Sequence, residues 1–207
     1  MNSSRLIHAA SLMLLLCIAS GCNLLGYAAS GIAGGEKSPA MFVPAKTPMV
    51  VIAEKFDNPA DASLDAEPIA RYTSEELSGH EVAPIVSSEK VASLQSANPA
   101  RFRGMTIAAV GRAVGADQIL YINIVSTSME VADNSDMLRG RGEVRVRLVD
   151  ANTGATIWPL DSADGYPINA ETRMFRRADR NEASVRSDLH RMLAGRAARL
   201  FYVTKSE

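Results

Sequence analysis

The stretch QILYINIV at residues 118–125 decides the fold. It is rich in β-branched side chains, and both of its alternating sets of positions are largely apolar. A strand with two apolar faces must be covered on both sides, so this one is expected in the centre of a sheet. A helix predicted at 105–114 precedes it, and Gly115 is predicted to end that helix.

Other short apolar runs supply neighbouring strands. Residues 49–53, MVVIA, fit a strand buried on both faces. Pro84 favours an edge position for a strand at 82–86, because proline cannot donate a hydrogen bond to the ladder. Residues 143–149 alternate between apolar and charged side chains, which indicates an antiparallel strand with one face in solvent. The remaining segments predicted in this part of the chain are a polar loop at 133–142, a turn at 150–154, its return strand at 155–158 and a further strand at 166–175.

Helical periodicity predicts the layers that cover the sheet. One helix is expected over 64–77, and Ser87 or Ser88 is suited to cap the next. The last helix has the clearest pattern, since Asp179 and Glu182 have the spacing of a capping box. Apolar residues then recur at helical spacing: Val185, Leu189, Met192, Leu193, Ala197, Leu200 and Phe201. The order of elements predicts an α/β (α+β) fold, with a mixed β-sheet, helices packed on it and a C-terminal amphipathic helix.

The N-terminal residues have the features of a secretory signal. Arg5 precedes an apolar run at 9–19, which is shorter than the roughly 20 residues that a membrane-spanning helix needs. The run ends in ASGC at 19–22, and small residues directly before a cysteine resemble the lipobox of bacterial lipoproteins. The resemblance implies that the thiol of Cys22 receives a diacylglycerol and that cleavage makes Cys22 the first residue of the mature chain.

Two other interpretations of this segment stay open. The residues ASG at 19–21 also fit ordinary signal cleavage, which would release a soluble protein, and an uncleaved segment would itself be an anchor. Lipidation is favoured because the chain has two cysteines, Cys17 and Cys22, and only the second remains after cleavage. Asn23, by resemblance to enteric lipoproteins, favours attachment to the outer membrane with the domain facing the periplasm.

The sequence therefore divides into a signal peptide at 1–21, a lipidated tether at 22–46 and a single domain at 47–207. The tether is rich in Gly, Ala, Ser and Pro, as linkers are. The whole chain has 22 basic and 23 acidic residues, and loss of Arg5 with the leader changes the net charge from −1 to −2. Without a basic excess to neutralise phosphates, no nucleic-acid partner is predicted.

Two motifs resemble a group of envelope proteins. GRAVGADQIL at 111–120 is similar to a helix-to-strand passage, and RLVDANTGATIW at 147–158 to a strand-and-turn passage. Both passages occur in curli-secretion lipoproteins, flagellar outer-membrane lipoproteins and the amino-terminal domain of the Tol-system periplasmic protein. The resemblance covers about residues 49–201, and its motifs are structural. It implies a non-enzymatic envelope lipoprotein that acts by assembly or by binding other envelope proteins.

The sequence predicts no catalytic, cofactor or metal site. His80 and His190 of the domain do not fall in a zinc-binding pattern and are interpreted as surface residues. No nucleophile elbow, Walker loop or dinucleotide fingerprint is present in the sequence. A cluster of arginines before the last helix is a candidate surface for a partner or for lipid headgroups: Arg173, Arg176, Arg177 and Arg180.

The leading hypothesis is thus a membrane-anchored lipoprotein with a structural, assembly or protein-binding role. Partner contact is expected through an exposed sheet edge or the arginine-bearing surface. The alternative is a soluble periplasmic module that binds a small ligand or peptide, which requires an enclosed apolar pocket. The sequence leaves the oligomeric state and the partner open.

Overall fold

The computed structural model of this chain describes residues 37–55, 59–131 and 136–205. The described residues fall in two compact units. In one unit, strand β1 (Lys37–Ser38) pairs antiparallel with strand β9 (Thr204–Lys205). The other unit spans Pro39–Val203 and holds all the remaining described elements. The predicted signal peptide and the tether up to residue 36 lie outside the described residues.

The larger unit alternates strands and helices along the chain. Its helices are α1 (Pro59–Gly79), α2 (Ser88–Ala97), α3 (Pro99–Arg103), α4 (Ile107–Val114) and α5 (Glu182–Ala198), followed by a 3-10 turn at Arg199–Phe201. Its strands are β2 (Met49–Glu54), β3 (Ile85–Val86), β4 (Gln118–Val131), β5 (Met137–Asp150), β6 (Thr156–Trp158), β7 (Tyr166–Glu171) and β8 (Phe175–Arg176).

These strands form one mixed sheet with the order β3-β2-β4-β5-β6, and β7 and β8 also pair with β5. Strand β2 runs parallel to both β3 and β4, whereas β4 and β5 are antiparallel. The predicted central position of β4 is confirmed, because Ile119, Leu120 and Ile122 are fully buried. The predicted edge position of the Pro84 strand is also confirmed by the place of β3 in this order.

Helices cover the sheet on both faces. On the inner face, Leu120 and Val146 of the sheet share a buried core with Ile69 of α1 and Leu189 of α5. On the outer face, a smaller core joins the sheet to Val114 of α4, with α2 packed beside it. A mixed sheet with helices on it and a C-terminal helix is therefore present, as the order of elements predicts.

The predicted loop at 133–142 is wrong from residue 137 onward, because β5 begins at Met137 and forms a long hairpin with β4. The two glycines that favoured a loop lie instead beneath α5. A Cβ at Gly142 would be 2.9 Å from Cδ1 of Leu193, and one at Gly140 would be 3.4 Å from Cβ of Leu189. Glycine is present here because the helix packs closely on the strand.

Three smaller predictions also change. Helix α5 is capped by Asn181, whose Oδ1 accepts from the N–H of Ser184 at 2.8 Å, while Asp179 lies in the preceding turn. The predicted strand at 166–175 is two short strands, β7 and β8. The segment from Pro39 to Lys46, assigned to the tether from its composition, belongs to the larger compact unit.

Two helical glycines provide a matched test of this packing. A Cβ at Gly111 of α4 would lie 2.7 Å from Cδ1 of Ile119 and 3.2 Å from Cβ of Ala151, whereas nothing lies within 4 Å of one at Gly195 of α5. Alanine favours a helix over glycine by about 1 kcal/mol at either position. We expect Gly195→Ala to raise the free energy of unfolding by about 0.5–1 kcal/mol, and Gly111→Ala to lower it by about 1–3 kcal/mol through overpacking. Urea unfolding measures both, and stabilisation by Gly111→Ala would contradict the α4 packing.

Candidate functional site

A buried polar network joins α1, β4 and α5. Asp65 of α1 is 6% exposed, and its Oδ2 accepts a hydrogen bond from the hydroxyl of Thr127 at 2.6 Å. Its Oδ1 lies 2.6 Å from Nε2 of His190 and 3.4 Å from Nη1 of Arg186. These contacts satisfy both carboxylate oxygens inside the core, as a buried charge requires.

The partners of Asp65 set its charge state. Burial alone would raise the pKa of Asp65, but hydrogen bonds from His190 and Thr127, together with the charges of His190 and Arg186, outweigh burial and lower the pKa to about 2. The carboxylate is therefore ionised throughout the physiological range.

The position of His190 corrects the expectation of two surface histidines. His190 is 3% exposed and belongs to this network. His80 does lie on the surface, where its ring stacks on Tyr202 with centroids 3.7 Å apart. Sequence reasoning missed the role of His190 because its partner Asp65 is 125 positions away in the chain.

The geometry of this network fits a structural role, in which Asp65 connects α1 to β4 and α5. In a nucleophilic triad the histidine lies between the hydroxyl and the carboxylate and accepts the proton of the hydroxyl. Here the carboxylate of Asp65 lies between Thr127 and His190, and a carboxyl with so low a pKa is a weak base. The geometry holds two helices on β4 and does not activate Thr127.

The predicted arginine surface lies between β7 and α5, on strand β8 and the segments that flank it. Arg173, Arg176 and Arg177 are exposed, and none forms an ion pair with another residue in the described ranges. Arg180 differs, since its Nη2 lies 2.8 Å from Oδ2 of Asp188 and its guanidinium stands 4.9 Å above the ring of Phe175. The surface that remains available to a partner therefore consists of Arg173, Arg176 and Arg177, which we call the arginine surface.

A second charged group, missed from the sequence, lies on the outer face of the sheet. Arg139 contacts Glu130 at 2.8 Å and Glu171 at 2.5 Å, and Arg141 contacts the same two carboxylates at 3.3 and 3.0 Å. The alternation of arginine with glycine at 139–142 is the available signal, but in the sequence its glycines favour a loop. Two positive and two negative charges compensate each other here, so this group leaves little net field for a partner.

An aromatic cluster lies at the C-terminal end of α5. The ring of Trp158 is 6.3 Å from Phe42, 5.4 Å from Tyr166 and 5.5 Å from Phe201, between centroids. The chain enters the larger unit at this end, because the N–H groups of residues 41 and 42 both donate to the carbonyl of Leu200, at 2.8 and 3.1 Å. The sequence alone does not reveal this cluster, because its composition assigns Phe42 to the tether.

Two surface grooves are present among the described residues. One, of about 360 Å³, is lined mainly by charged and polar residues: Ser126, Arg141, Gly142, Glu143, Asn169, Ala170, Glu171 and Arg196. The other, of about 620 Å³, lies between α2 and α4: Ser87, Glu89, Lys90, Ser93, Leu94, Ala113 and Val114. Neither resembles the enclosed apolar pocket that the small-ligand alternative requires.

The described ranges contain no group of three or more His, Cys, Asp or Glu side chains placed to hold a metal ion. No helix within them has the length and apolar character needed to cross a membrane. The predicted lipidation site, Cys22, lies outside the described residues.

The fold defines the class of this chain as a mixed α+β domain. No protein-family model matches the chain, and no curated protein sequence matches it. Among solved structures, it is similar to the PelC dodecamer from Paraburkholderia phytofirmans, with 12% identity, 79% of this chain and 95% of that chain covered, and a TM-score of 0.37.

Two further similar structures are lipoproteins. Lipoprotein GNA1162 from Neisseria meningitidis shows 16% identity over 69% of this chain and 90% of that chain, with a TM-score of 0.44. A minor lipoprotein from Acinetobacter baumannii shows 7% identity over 79% and 98%, with a TM-score of 0.41. The likeness is at the level of the fold and transfers no role to this chain. The resemblance to the curli-secretion and Tol group is not confirmed.

The Asp65 network predicts a pH dependence of stability. A pKa lowered from 3.8 to about 2 corresponds to about 2 kcal/mol of stability, which is present above pH 4 and is lost as the pH falls from about 4 to about 2. We expect Asp65→Asn to lower the free energy of unfolding at pH 7 by about 2–4 kcal/mol. Its difference from the wild type should shrink as the pH falls through that window.

Urea unfolding at several pH values measures this difference. Glu67→Gln is the matched control, because Glu67 lies on the same helix with a side chain that is 64% exposed. A difference between Asp65→Asn and the wild type that is constant from pH 5 to pH 2 would refute the assignment.

Proposed function

We propose that this chain is a lipoprotein of the bacterial cell envelope, anchored through a lipid on Cys22, whose domain binds a protein partner without catalysing a reaction. The observation that carries the proposal is the sequence ASGC at 19–22, which directly follows a short apolar run and contains the only cysteine retained after cleavage. A diacylglycerol supplies two acyl chains, and two chains suffice for stable attachment where one does not. The resemblance of Asn23 to the residue after the cysteine in enteric lipoproteins favours the outer membrane, with the domain facing the periplasm.

The sheet edges are poorly suited to strand addition by a partner. The outer edge strand β3 is two residues long, with Pro84 just before it. On β7 the guanidinium of Arg196 donates to the carbonyl of Asn169, so this carbonyl points away from β5. Pro167 has the same outward position and lacks an N–H. Such features block edge-to-edge pairing, so the arginine surface is the better candidate of the two that the sequence raised.

The arginine surface also has a suitable place relative to the proposed anchor. The chain enters the larger unit beside Leu200, at the C-terminal end of α5, whereas the arginine surface precedes the N-terminal end of the same helix. Helix α5 has 17 residues and is therefore about 25 Å long. The arginine surface thus lies at the end of α5 opposite the point where the chain enters the larger unit, and there it would meet an acidic surface of an envelope protein.

Substitution of the two cysteines tests the anchor. We expect Cys22→Ala to abolish incorporation of labelled palmitate and to move the protein to the aqueous phase in detergent partitioning, whereas Cys17→Ala changes neither. Mass spectrometry of the mature N-terminus supplies the independent measurement. A terminus at another residue, or an unmodified Cys22, would overturn the proposal in favour of simple secretion.

Removal of the exposed arginines tests the partner surface. We expect the triple variant R173A/R176A/R177A to weaken partner binding roughly three- to 150-fold, because three solvent-exposed charge contacts are each worth about 0.2–1 kcal/mol. The measurement is the amount of protein captured with the lipidated chain from native membranes after cross-linking.

The control K90A/R101A/R103A removes three exposed positive charges from α2 and α3. Equal losses in the two triple variants would show that net charge alone matters. Full capture by R173A/R176A/R177A would exclude the arginine surface.

A further inference from the structure

We propose that the end of the domain carrying the aromatic cluster rests on the phospholipid bilayer, with the side chains of Met41, Val43, Leu160 and Val203 entering its interfacial layer. We call these four residues the apolar rim. This inference rests on the proposed lipid anchor, and it adds a defined orientation of the domain on the membrane.

The first observation is the clustering of exposed apolar side chains. The members of the apolar rim are 53%, 73%, 85% and 57% exposed, in chain order. Each lies within two positions of an aromatic residue of the cluster, since Met41 and Val43 flank Phe42, Leu160 follows Trp158 and Val203 follows Phe201. Single exposed apolar residues are ordinary, but several around one aromatic cluster form a patch of the kind that marks an interaction surface.

The other exposed large apolar residues within the described ranges are scattered. Leu64 lies on α1, Val125 at an irregularity of β4 and Met174 between β7 and β8. None of these belongs to the aromatic cluster. The apolar rim is therefore distinct from the general background of exposed apolar side chains on this domain.

The second observation is the point where the chain enters the domain. Residues 41 and 42 are bound to the carbonyl of Leu200, so the segment from Cys22 reaches the domain beside the apolar rim. Sixteen residues separate Cys22 from Pro39, and a chain of that length spans at most about 60 Å. An acylated Cys22 in the bilayer keeps this end of the domain close to the lipid surface and raises the effective concentration for docking.

The chemistry of the rim suits a shallow position. Trp158 and Tyr202 are partly exposed here, and such side chains favour the boundary between headgroups and acyl chains. The exposed charges of Asp161 and Arg199 lie beside Leu160 and Leu200 in the chain. Charged groups at this place are compatible with the headgroup layer and oppose deeper insertion.

A pair of fluorescent probes tests the orientation on the lipidated full-length mature protein. Cys17 leaves with the leader and the thiol of Cys22 is acylated, so a cysteine introduced by Leu160→Cys or by Arg176→Cys is the free thiol available for an NBD label. The labelled proteins are reconstituted in vesicles of phosphatidylethanolamine and phosphatidylglycerol, and vesicle flotation first establishes that they are anchored.

We expect the label at position 160 to shift to the blue, to gain at least two-fold in emission and to be quenched by nitroxide-labelled lipids. The label at position 176 should keep the spectrum of a water-exposed probe. If both labels stay water-exposed on protein that floats, docking is refuted while the anchor stands. If the protein fails to float, the anchor is refuted and the docking inference with it.

A second copy of the chain is the competing occupant of the apolar rim. A blue shift at position 160 that persists without lipid quenching and grows with protein density on the vesicle would assign the rim to a dimer and overturn the inference. The double variant L160E/V203E should float normally and lose lipid quenching of Trp158, the single tryptophan. L64E is the matched control on α1, and equal thermal midpoints verify that both variants fold.

Discussion

The first half of β4 is apolar on both faces, and this constraint determines where the helices lie. Leu120 and Ile122 face the core formed with α1 and α5, while Ile119 and Tyr121 face the core formed with α4. An uncovered face would leave these side chains in water, at a cost of about 25 cal/mol per Å² of apolar surface. Strand β2 lies parallel to β4, and a parallel pair requires a crossover connection that places helices on the sheet. The same helices therefore cover the apolar faces of the sheet and connect its parallel strands.

An irregularity halfway along β4 changes this pattern. The pairing with β5 shifts between Ile124 and Ser126, so Val125 is an extra residue, and beyond it the outer face carries polar and charged side chains. Among the described residues, α1 and α5 cover the inner face there. Thr127 faces this inner layer, and its half-buried hydroxyl is stabilised by a hydrogen-bond partner. Asp65 is that partner, and His190 in turn contacts Asp65. A polar network therefore lies between the helices and β4 where the apolar part of the strand ends.

The two ends of α5 carry surfaces of opposite character. At its C-terminal end the chain enters the domain among Phe42, Trp158 and Phe201, and exposed apolar side chains surround them. Before its N-terminal end lies the arginine surface. In the proposed arrangement, this division would place the apolar end toward the bilayer and leave the cationic end free for an acidic partner. The rigid helix and sheet between the two ends keep them apart.

The sequence by itself determined the features that depend on neighbouring residues. Periodicity was sufficient to predict the central strand β4, the antiparallel strand β5, the last helix and the mixed sheet. The sequence ASGC at 19–22 predicts Cys22 as the lipidation site, and this prediction does not depend on the fold. Tertiary structure alone decided that Gly140 and Gly142 lie in a strand beneath α5, that Asp188 neutralises Arg180, and that Asp65 meets His190. Local patterns record period, turns and caps, whereas a buried hydrogen bond between residues 125 positions apart exists only because two helices pack on the same strand. No local period encodes that distance.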